Sequence, residues 1–228
     1  MCGRFSITLE AGEVQLQLAL GAMPKDWRPR FNVAPSQRVP VVIDADRRDV
    51  LWMKWGLVPF WAESAEIGNR LINARAETVS EKPAFRTSFK QRRCLIPADG
   101  FYEWLKPGGR NIPSIPYYFH EKEHAAFTFA GIWDEWKDDT GSVLQSCSII
   151  TCAANEIVFP IHNRMPVILN EETRWDWLQK TDKIELESLL LPAKKDFLSS
   201  YAVSRTVNNP AVDSEVCLLP EHQQDRLF

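Results

Sequence analysis

Residues 93–106, RCLIPADGFYEWLK, contain the pattern that decides the fold class. β-Branched and aromatic side chains fill this stretch on both sides of a turn at Gly100, which is typical of strands. Three further segments of the same character follow at 115–122, 125–137 and 142–154. Many short strands separated by turns favour an antiparallel sheet that closes on itself. We therefore predict an antiparallel β-barrel-like core.

The segments around this core predict an α+β fold with peripheral helices. Residues 2–8 indicate another strand, and residues 39–59 indicate a hairpin. Helices are predicted at 13–21, from Ser80 with a proline in the first turn, at 171–179 and at 183–191. No repeat, low-complexity tract or long linker interrupts the sequence, so we predict a single domain over residues 1–228.

The composition is that of a globular protein without a membrane segment. Of the 228 residues, 45% are hydrophobic and 25% are charged, and no apolar run reaches the length of a transmembrane helix. The N-terminus has no signal pattern, so we predict a cytoplasmic protein with no membrane partner. Basic residues predominate in 1–110 and acidic residues in 111–228. This balance permits a nucleic-acid surface in the first half but is weak evidence for one.

The five cysteines argue against disulfides and a metal site. Their number is odd, and they form no CxxC pair and no zinc-like cluster with histidine, so we predict no metal. Apolar neighbours flank four of them, which we expect to be small buried side chains: Cys94, Cys147, Cys152 and Cys217.

The fifth cysteine, Cys2, directly follows the initiator methionine. Removal of Met1 would leave Cys2 with a free α-amine and a thiol on adjacent carbons. Their ordinary pKa values, about 7.7–8.0 and about 8.5, leave part of each group deprotonated near neutral pH. Cys2 is therefore a candidate nucleophile, although its position is also compatible with chance.

Two polar residues in apolar stretches are candidates for acid–base chemistry. Glu103 lies between Tyr102 and Trp104, where an aromatic setting would raise its pKa, yet strand alternation equally allows it to face solvent. His162 follows Ile161, and a lone histidine is more often structural than catalytic. Either residue could therefore act on a proton or simply complete the fold.

Other polar and aromatic residues suggest a surface for an anion or for bases. Asn73 and Arg75 alternate along a predicted strand, so they share a face and could hold a phosphate or form a structural ion pair. Phe60 and Trp61 end the predicted hairpin, where they could stack on unpaired bases or pack into the core.

Seven segments in a fixed order carry a family resemblance. They are MCGRF at 1–5, FNVAP at 31–35, WGLVPFW at 55–61, NARAET at 73–78, RRCLIPADGFYEW at 92–104, IHNRMPVIL at 161–169 and VSRTVNN at 203–209. Together they cover nearly the whole chain, which resembles the SOS response-associated peptidase (SRAP) family.

The resemblance implies a sensor of abasic sites in single-stranded DNA, and we expect a bacterial member that is associated with the nucleoid when bound. The open aldehyde of the abasic sugar would condense with the α-amine of Cys2 to an imine, and the Cys2 thiol would close a thiazolidine ring. Met1 must first be removed, by the protein itself or by an aminopeptidase. The resemblance implies no metal or organic cofactor, and we expect a monomer.

The resemblance also assigns roles to matching positions. Glu103 and His162 would move protons, while Asn73 would orient the sugar and Cys2. DNA contacts are implied for Arg4, Arg75, Arg86, Thr151 and Arg164, and an aromatic wedge is implied for Phe60 and Trp61. Many family members have tryptophan at the position of Phe60, and phenylalanine there keeps the capacity to stack.

Two other hypotheses predict different activities. An N-terminal-nucleophile amidotransferase would also begin Met-Cys-Gly and would hydrolyse glutamine, but Arg4 and Phe5 depart from its usual small residues. A non-covalent reader of single-stranded DNA or modified bases would bind equally well without the Cys2 thiol. The family name records a peptidase activity, which for this chain could be limited to the removal of its own Met1.

Overall fold

The computed structural model describes residues 2–108 and 113–221, which form thirteen strands and four α-helices. The strands are β1 Phe5–Ile7, β2 Arg30–Val33, β3 Arg38–Val42, β4 Val50–Trp55, β5 Asn73–Arg75, β6 Arg93–Ala98, β7 Gly100–Leu105, β8 Ile115–Glu121, β9 Phe127–Lys137, β10 Val143–Ala153, β11 Arg164–Pro166, β12 Ile168–Leu169 and β13 Leu198–Ala202. The α-helices are α1 Ala11–Leu18, α2 Arg86–Gln91, α3 Glu171–Gln179 and α4 Lys183–Ser188.

Five strands close into a barrel in the order β10, β4, β3, β6 and β9, with β9 pairing back to β10. All of these pairs are antiparallel except β4 with β10, which run parallel. The predicted barrel-like core is confirmed. A closed ring of five strands cannot alternate in direction all the way round, so one neighbouring pair must run parallel, and here it is β4 with β10.

A second sheet has the order β13, β8, β7, β1 and β2. The chain passes from the barrel into this sheet at Asp99, between β6 and β7. The Asp99 carboxylate accepts hydrogen bonds from the hydroxyls of Ser6 at 2.5 Å and Thr8 at 2.7 Å, so the crossing point is tied to β1. A Cβ at Gly100 would overlap the Tyr118 ring, which explains why glycine follows Asp99.

The helix predicted from Ser80 begins later than expected. Residues 77–85 form turns, and α2 starts at Arg86. Pro83 lies in the turn that leads into the helix, where its missing amide hydrogen costs little, and the amide of Arg86 donates to the carbonyl of Lys82 at 2.9 Å. The helix predicted at 171–179 is α3, and the helix predicted at 183–191 is α4, which begins at Lys183 and ends earlier than expected, at Ser188.

The interior confirms the assignment of the four cysteines. Cys94, Cys147, Cys152 and Cys217 are buried and carry free thiols. Within the described residues, none of the helices is long and apolar enough to cross a membrane.

Candidate active site

Cys2 is fully buried in the segment that leads into β1. Its main-chain carbonyl accepts a hydrogen bond of 2.7 Å from the side-chain amide of Asn73, and its Sγ lies 3.9 Å from the carbonyl oxygen of Arg4. Burial raises the pKa of the Cys2 thiol, and the Glu103 carboxylate raises it further. The thiol is therefore protonated at neutral pH, and a base must accept its proton before it can react.

Asn73 comes from β5, a short strand that runs parallel to β10. The buried side chain of Ala74 faces the interior, so Asn73 and the exposed Arg75 share the other face, as predicted. Asn73 Oδ1 is buried and has no hydrogen-bond partner among the described residues. A buried acceptor of this kind is suited to a hydroxyl or amine donor of a ligand.

Glu103 is only 3% exposed, so the solvent-facing alternative is wrong. Strand β7 is covered on both faces. Phe101 and Glu103 share one face, and Phe101 packs in the main core, whereas Tyr102 on the other face packs with Val203 in a second, smaller core. Burial raises the pKa of Glu103, while the positive charge of nearby His162 acts in the opposite direction. The carboxyl is therefore prepared to hold or release a proton closer to neutral pH than an exposed glutamate.

His162 lies in the loop before β11 and is partly buried. Its Nδ1 accepts a hydrogen bond of 3.0 Å from the main-chain amide of Arg164. In the neutral imidazole the proton is therefore on Nε2, which can donate, whereas in the charged ring Nδ1–H faces the carbonyl of Arg164 at 3.3 Å. The charged form of His162 acts on Glu103, and Glu103 acts on Cys2, so the three side chains are electrostatically linked.

Arg164 is held in a fixed position beside these three side chains. Its guanidinium donates two hydrogen bonds to the Glu77 carboxylate, at 2.5 and 3.0 Å, and one to the carbonyl of Thr151 at 2.5 Å. Thr151 itself is fully buried and its Oγ1 lies 3.3 Å from the same guanidinium. The structure therefore places Thr151 behind Arg164, where it positions the arginine and has no surface to offer DNA.

Arg4 points into the protein. Its Nη1 donates to Asn32 Oδ1 and to the carbonyl of Val207, both at 2.7 Å, and its guanidinium lies 5.9 Å from the Trp104 ring. Burial lowers the pKa of Arg4. The side chain thus joins β1 to β2 and to the segment around Val207, a structural use that the sequence did not predict.

The remaining DNA-contact candidates are exposed. Arg86 lies on α2 and lines a cavity of about 480 Å³ with Ser80, Lys183 and Leu186. Phe60 and Trp61 are 55% and 49% exposed, which rules out core packing for this pair. The structure therefore links Cys2, Asn73, Glu103 and His162 by contacts, while a DNA contact by Arg86 stays a prediction.

Two buried residues that the sequence did not single out support these groups. Asn32 Nδ2 donates to the carbonyls of Val207, Asn209 and Val212. Asp134 Oδ2 accepts from the amide of Phe60 at 3.1 Å, so it anchors the loop with the exposed aromatics. Asn32 lies inside a strand between the apolar residues Phe31 and Val33, which is the pattern that could have identified it, whereas Asp134 is followed by Glu135 and carries no such signal.

The described residues contain no group of three side chains that could hold a metal ion.

Comparisons with known proteins give a consistent result. Residues 1–210 match the family model described as SOS response associated peptidase (SRAP). The abasic site processing protein YoqW of Bacillus subtilis is 41% identical over 219 residues, which cover 94% of this chain and 97% of that protein. The abasic site processing protein HMCES of Gallus gallus is 30% identical over 261 residues, covering 96% and 78%. A crystal structure of a protein from Bacteroides thetaiotaomicron matches with a TM-score of 0.85 and 29% identity, covering 96% and 99%.

Proposed function

The chain belongs to the SRAP family, and on that premise we propose that it processes abasic sites in single-stranded DNA by bonding covalently to them through Cys2. Two curated relatives are named abasic site processing proteins. The observation that carries the proposal is the contact between Asn73 and Cys2, which holds the backbone of Cys2 beside the buried carboxyl of Glu103.

The reaction begins after hydrolysis of the Met1–Cys2 peptide bond, which consumes one water and frees the α-amine of Cys2. Met1 lies outside the described residues, so its removal rests on the chemistry alone. Glu103 is the candidate base for this hydrolysis if the protein processes itself. An aminopeptidase would yield the same amine.

The amine then attacks the aldehyde carbon of the open abasic sugar. The carbinolamine loses one water to give an imine, and Glu103 or His162 supplies the proton that the leaving hydroxyl needs. The thiol sulfur next bonds to the imine carbon, and its proton passes to the nitrogen. The product is a thiazolidine, and the condensation as a whole releases one water.

Asn73 has two functions in this proposal. Its Nδ2 fixes the Cys2 carbonyl, and its unpartnered Oδ1 accepts a hydrogen bond from the amine or from a sugar hydroxyl. Arg75 and Arg164 bind the phosphates beside the lesion, whereas Phe60 and Trp61 stack against bases. A single domain over residues 1–228, a monomeric state and a cytoplasmic location remain predictions.

The test is to incubate the purified protein with single-stranded DNA that carries one abasic site and to analyse the product under denaturing conditions. We expect a covalent complex whose mass equals the Met1-less protein plus the strand minus one water. A strand with a tetrahydrofuran in place of the abasic sugar has no aldehyde and is the matched DNA control.

The variant Cys2→Ala should lose the denaturation-stable complex, because it keeps an amine but cannot close the ring. Equal crosslinking by this variant, or equal reaction with undamaged DNA, would refute the mechanism. Tight binding without any covalent product would favour the non-covalent reader, and hydrolysis of free glutamine would favour the amidotransferase.

A further inference from the structure

The outer face of the barrel carries a groove with an excess of positive charge. One depression, of about 300 Å³, is lined by Asp26, Arg28, Arg30, Arg38 and Trp52. A second, of about 330 Å³, shares Arg38 and Trp52 with the first and continues past Lys54 to Val143, Leu144 and Gln145. The two are therefore parts of one surface, which we call the basic groove.

Two cations of the basic groove are neighbours because the pairing of β3 with β4 places them opposite each other. Arg38 on β3 lies directly opposite Lys54 on β4. Neither side chain forms an ion pair within the described parts of the chain, and like charges directly opposite each other destabilise a sheet. An anion between them would relieve this repulsion. Arg28 adds a third exposed cation, whereas Arg30 is paired with Asp213.

The floor of the basic groove is rigid. Trp52 donates from Nε1 to the Asp26 carboxylate at 2.7 Å and stacks on Trp27, with ring centroids 6.0 Å apart. The Arg38 guanidinium lies 5.9 Å from the centroid of Trp52 on a cation–π contact. The one acidic side chain that lines the groove, Asp26, accepts this indole N–H and keeps its negative charge, so the groove is basic because its cations outnumber it: Arg28, Arg30, Arg38 and Lys54.

The basic groove leads to the exposed aromatic loop. Leu144 pairs with Trp136 across β10 and β9, and Trp136 donates from Nε1 to the carbonyl of Ala62 at 2.6 Å. Ala62 directly follows Trp61. The same loop is fixed from the other side, where the amide of Val58 donates to Ser146 Oγ at 2.8 Å. A strand that passes the aromatic pair can therefore continue into the groove.

We propose that the basic groove binds the sugar–phosphate backbone of the DNA strand that flanks the nucleotide reacting at Cys2. The inference rests on the proposed function. A nucleic-acid strand presents regularly spaced single negative charges, which match cations carried on a rigid strand pair. Phosphates bound by Arg38, Lys54 and Arg28 would increase affinity independently of base sequence.

The test compares the double variant Arg38→Gln/Lys54→Gln with Lys194→Gln/Lys195→Gln, which removes the same charge from exposed residues elsewhere. Binding of an undamaged single strand of about 20 nucleotides is measured over a range of salt concentrations. The slope of log affinity against log salt should fall by about 1.4 in the groove variant, since each phosphate contact of a single strand contributes about 0.7. The control should keep the wild-type slope.

The conservative variant Arg38→Lys/Lys54→Arg should also keep the wild-type slope, which separates charge from damage to the fold. An unchanged slope in Arg38→Gln/Lys54→Gln would overturn the proposal. So would binding of poly-glutamate as tight as that of DNA, because the groove would then fit an acidic protein partner.

The covalent reaction is measured separately, on the wild-type protein with a short abasic strand. A wild type that fails to crosslink would refute the proposed function, and the salt slope on undamaged DNA would still decide whether the groove binds a strand.

Discussion

The side-chain amide of Asn73 donates a hydrogen bond of 2.7 Å to the main-chain carbonyl of Cys2. The two residues are far apart in the sequence. The hydrogen bond joins them through the carbonyl oxygen of Cys2, the residue that we expect to react. This contact leaves the Cys2 thiol and its nitrogen uninvolved, while the Asn73 Oδ1 remains available to a ligand.

The variant Asn73→Ala should therefore slow crosslinking by about tenfold, which corresponds to the loss of one buried hydrogen bond worth about 1.4 kcal/mol. The rate is measured with the abasic strand under single-turnover conditions. Asn69→Ala is the matched control, because Asn69 is exposed and its side chain contacts only Ser36 among the described residues. An Asn73→Ala rate equal to that of wild type would contradict the orienting role.

Glu103→Gln should slow the reaction and stabilise the protein. Burial raises the pKa of Glu103, so the folded state retains the proton over a pH range in which the unfolded chain has released it. Stability therefore falls as pH rises from the unfolded pKa through the folded pKa. Glutamine does not ionise, and we expect the unfolding free energy at neutral pH to rise by about 1 kcal/mol, or Tm by about 2–4 °C.

Urea unfolding at neutral pH and near pH 3 measures this effect, which should shrink at the lower pH because a glutamate with an ordinary pKa of about 4.3 is then protonated in the unfolded state as well as in the folded state. Glu156→Gln changes an exposed glutamate and should alter neither stability nor rate. Equal stability of Glu103→Gln and wild type at both pH values would show that ionisation of the buried carboxyl does not lower the unfolding free energy.

Glu77→Gln should strengthen DNA binding. The Glu77 carboxylate occupies two hydrogen-bond donors of Arg164, so a phosphate must displace it before it can use the same donors. We expect affinity for a single strand at low salt to increase about two- to fivefold, since an exposed ion pair is worth at most about 1 kcal/mol. Arg164→Gln should weaken binding.

The control for this pair of variants is Glu81→Gln, which removes the same charge from an exposed neighbour. If Glu77→Gln and Glu81→Gln raise affinity equally, the effect comes from net charge and not from release of the Arg164 guanidinium. The hydrogen bond from Arg164 lowers the pKa of Glu77, so any stability from this pair is present above the unfolded pKa and is lost as pH falls through the folded pKa.

Asp134→Asn should loosen the loop that carries Phe60 and Trp61. The Asp134 carboxylate accepts from the amide of Phe60 at 3.1 Å and from Arg92 Nη1 at 2.6 Å. Replacing it leaves the Arg92 guanidinium without its carboxylate, and we expect the unfolding free energy to fall by about 2–3 kcal/mol. Affinity for the abasic strand should fall as well, because the aromatic side chains are no longer held in place.

A double-mutant cycle with Arg92→Gln measures the coupling between the two side chains. We expect the double variant to lose clearly less stability than the sum of the single variants. Additive losses would show that Asp134 acts independently of Arg92.

Much of the fold could be predicted from local patterns. β-Branched and aromatic runs predicted the strands of the barrel, and apolar flanks predicted the burial of Cys94 and Cys147. Alternation correctly placed Asn73 and Arg75 on one face of β5. The predicted start of α2 was wrong by several residues, because Ser80 and Pro83 lie in the turns over residues 77–85 that precede the helix.

The burial of Glu103 could not be predicted from the sequence. A period of two assigns residues to opposite faces of a strand, but it does not say whether each face is covered. The barrel covers the Glu103 face of β7, and the segment around Val207 covers the other face. Similarly, nothing local in MCGRF indicates that Arg4 turns inward to Asn32.

The sequence by itself determined the strand-rich core, the ordered family motifs and the placing of a cysteine directly after Met1, because each depends on residue type and short-range spacing. Only the tertiary structure decided that β1, β5, β7 and the loop before β11 bring Cys2, Asn73, Glu103 and His162 into one site. The physical reason is that burial, pKa and hydrogen-bond partners are properties of contacts between distant segments, which exist only once the barrel has closed.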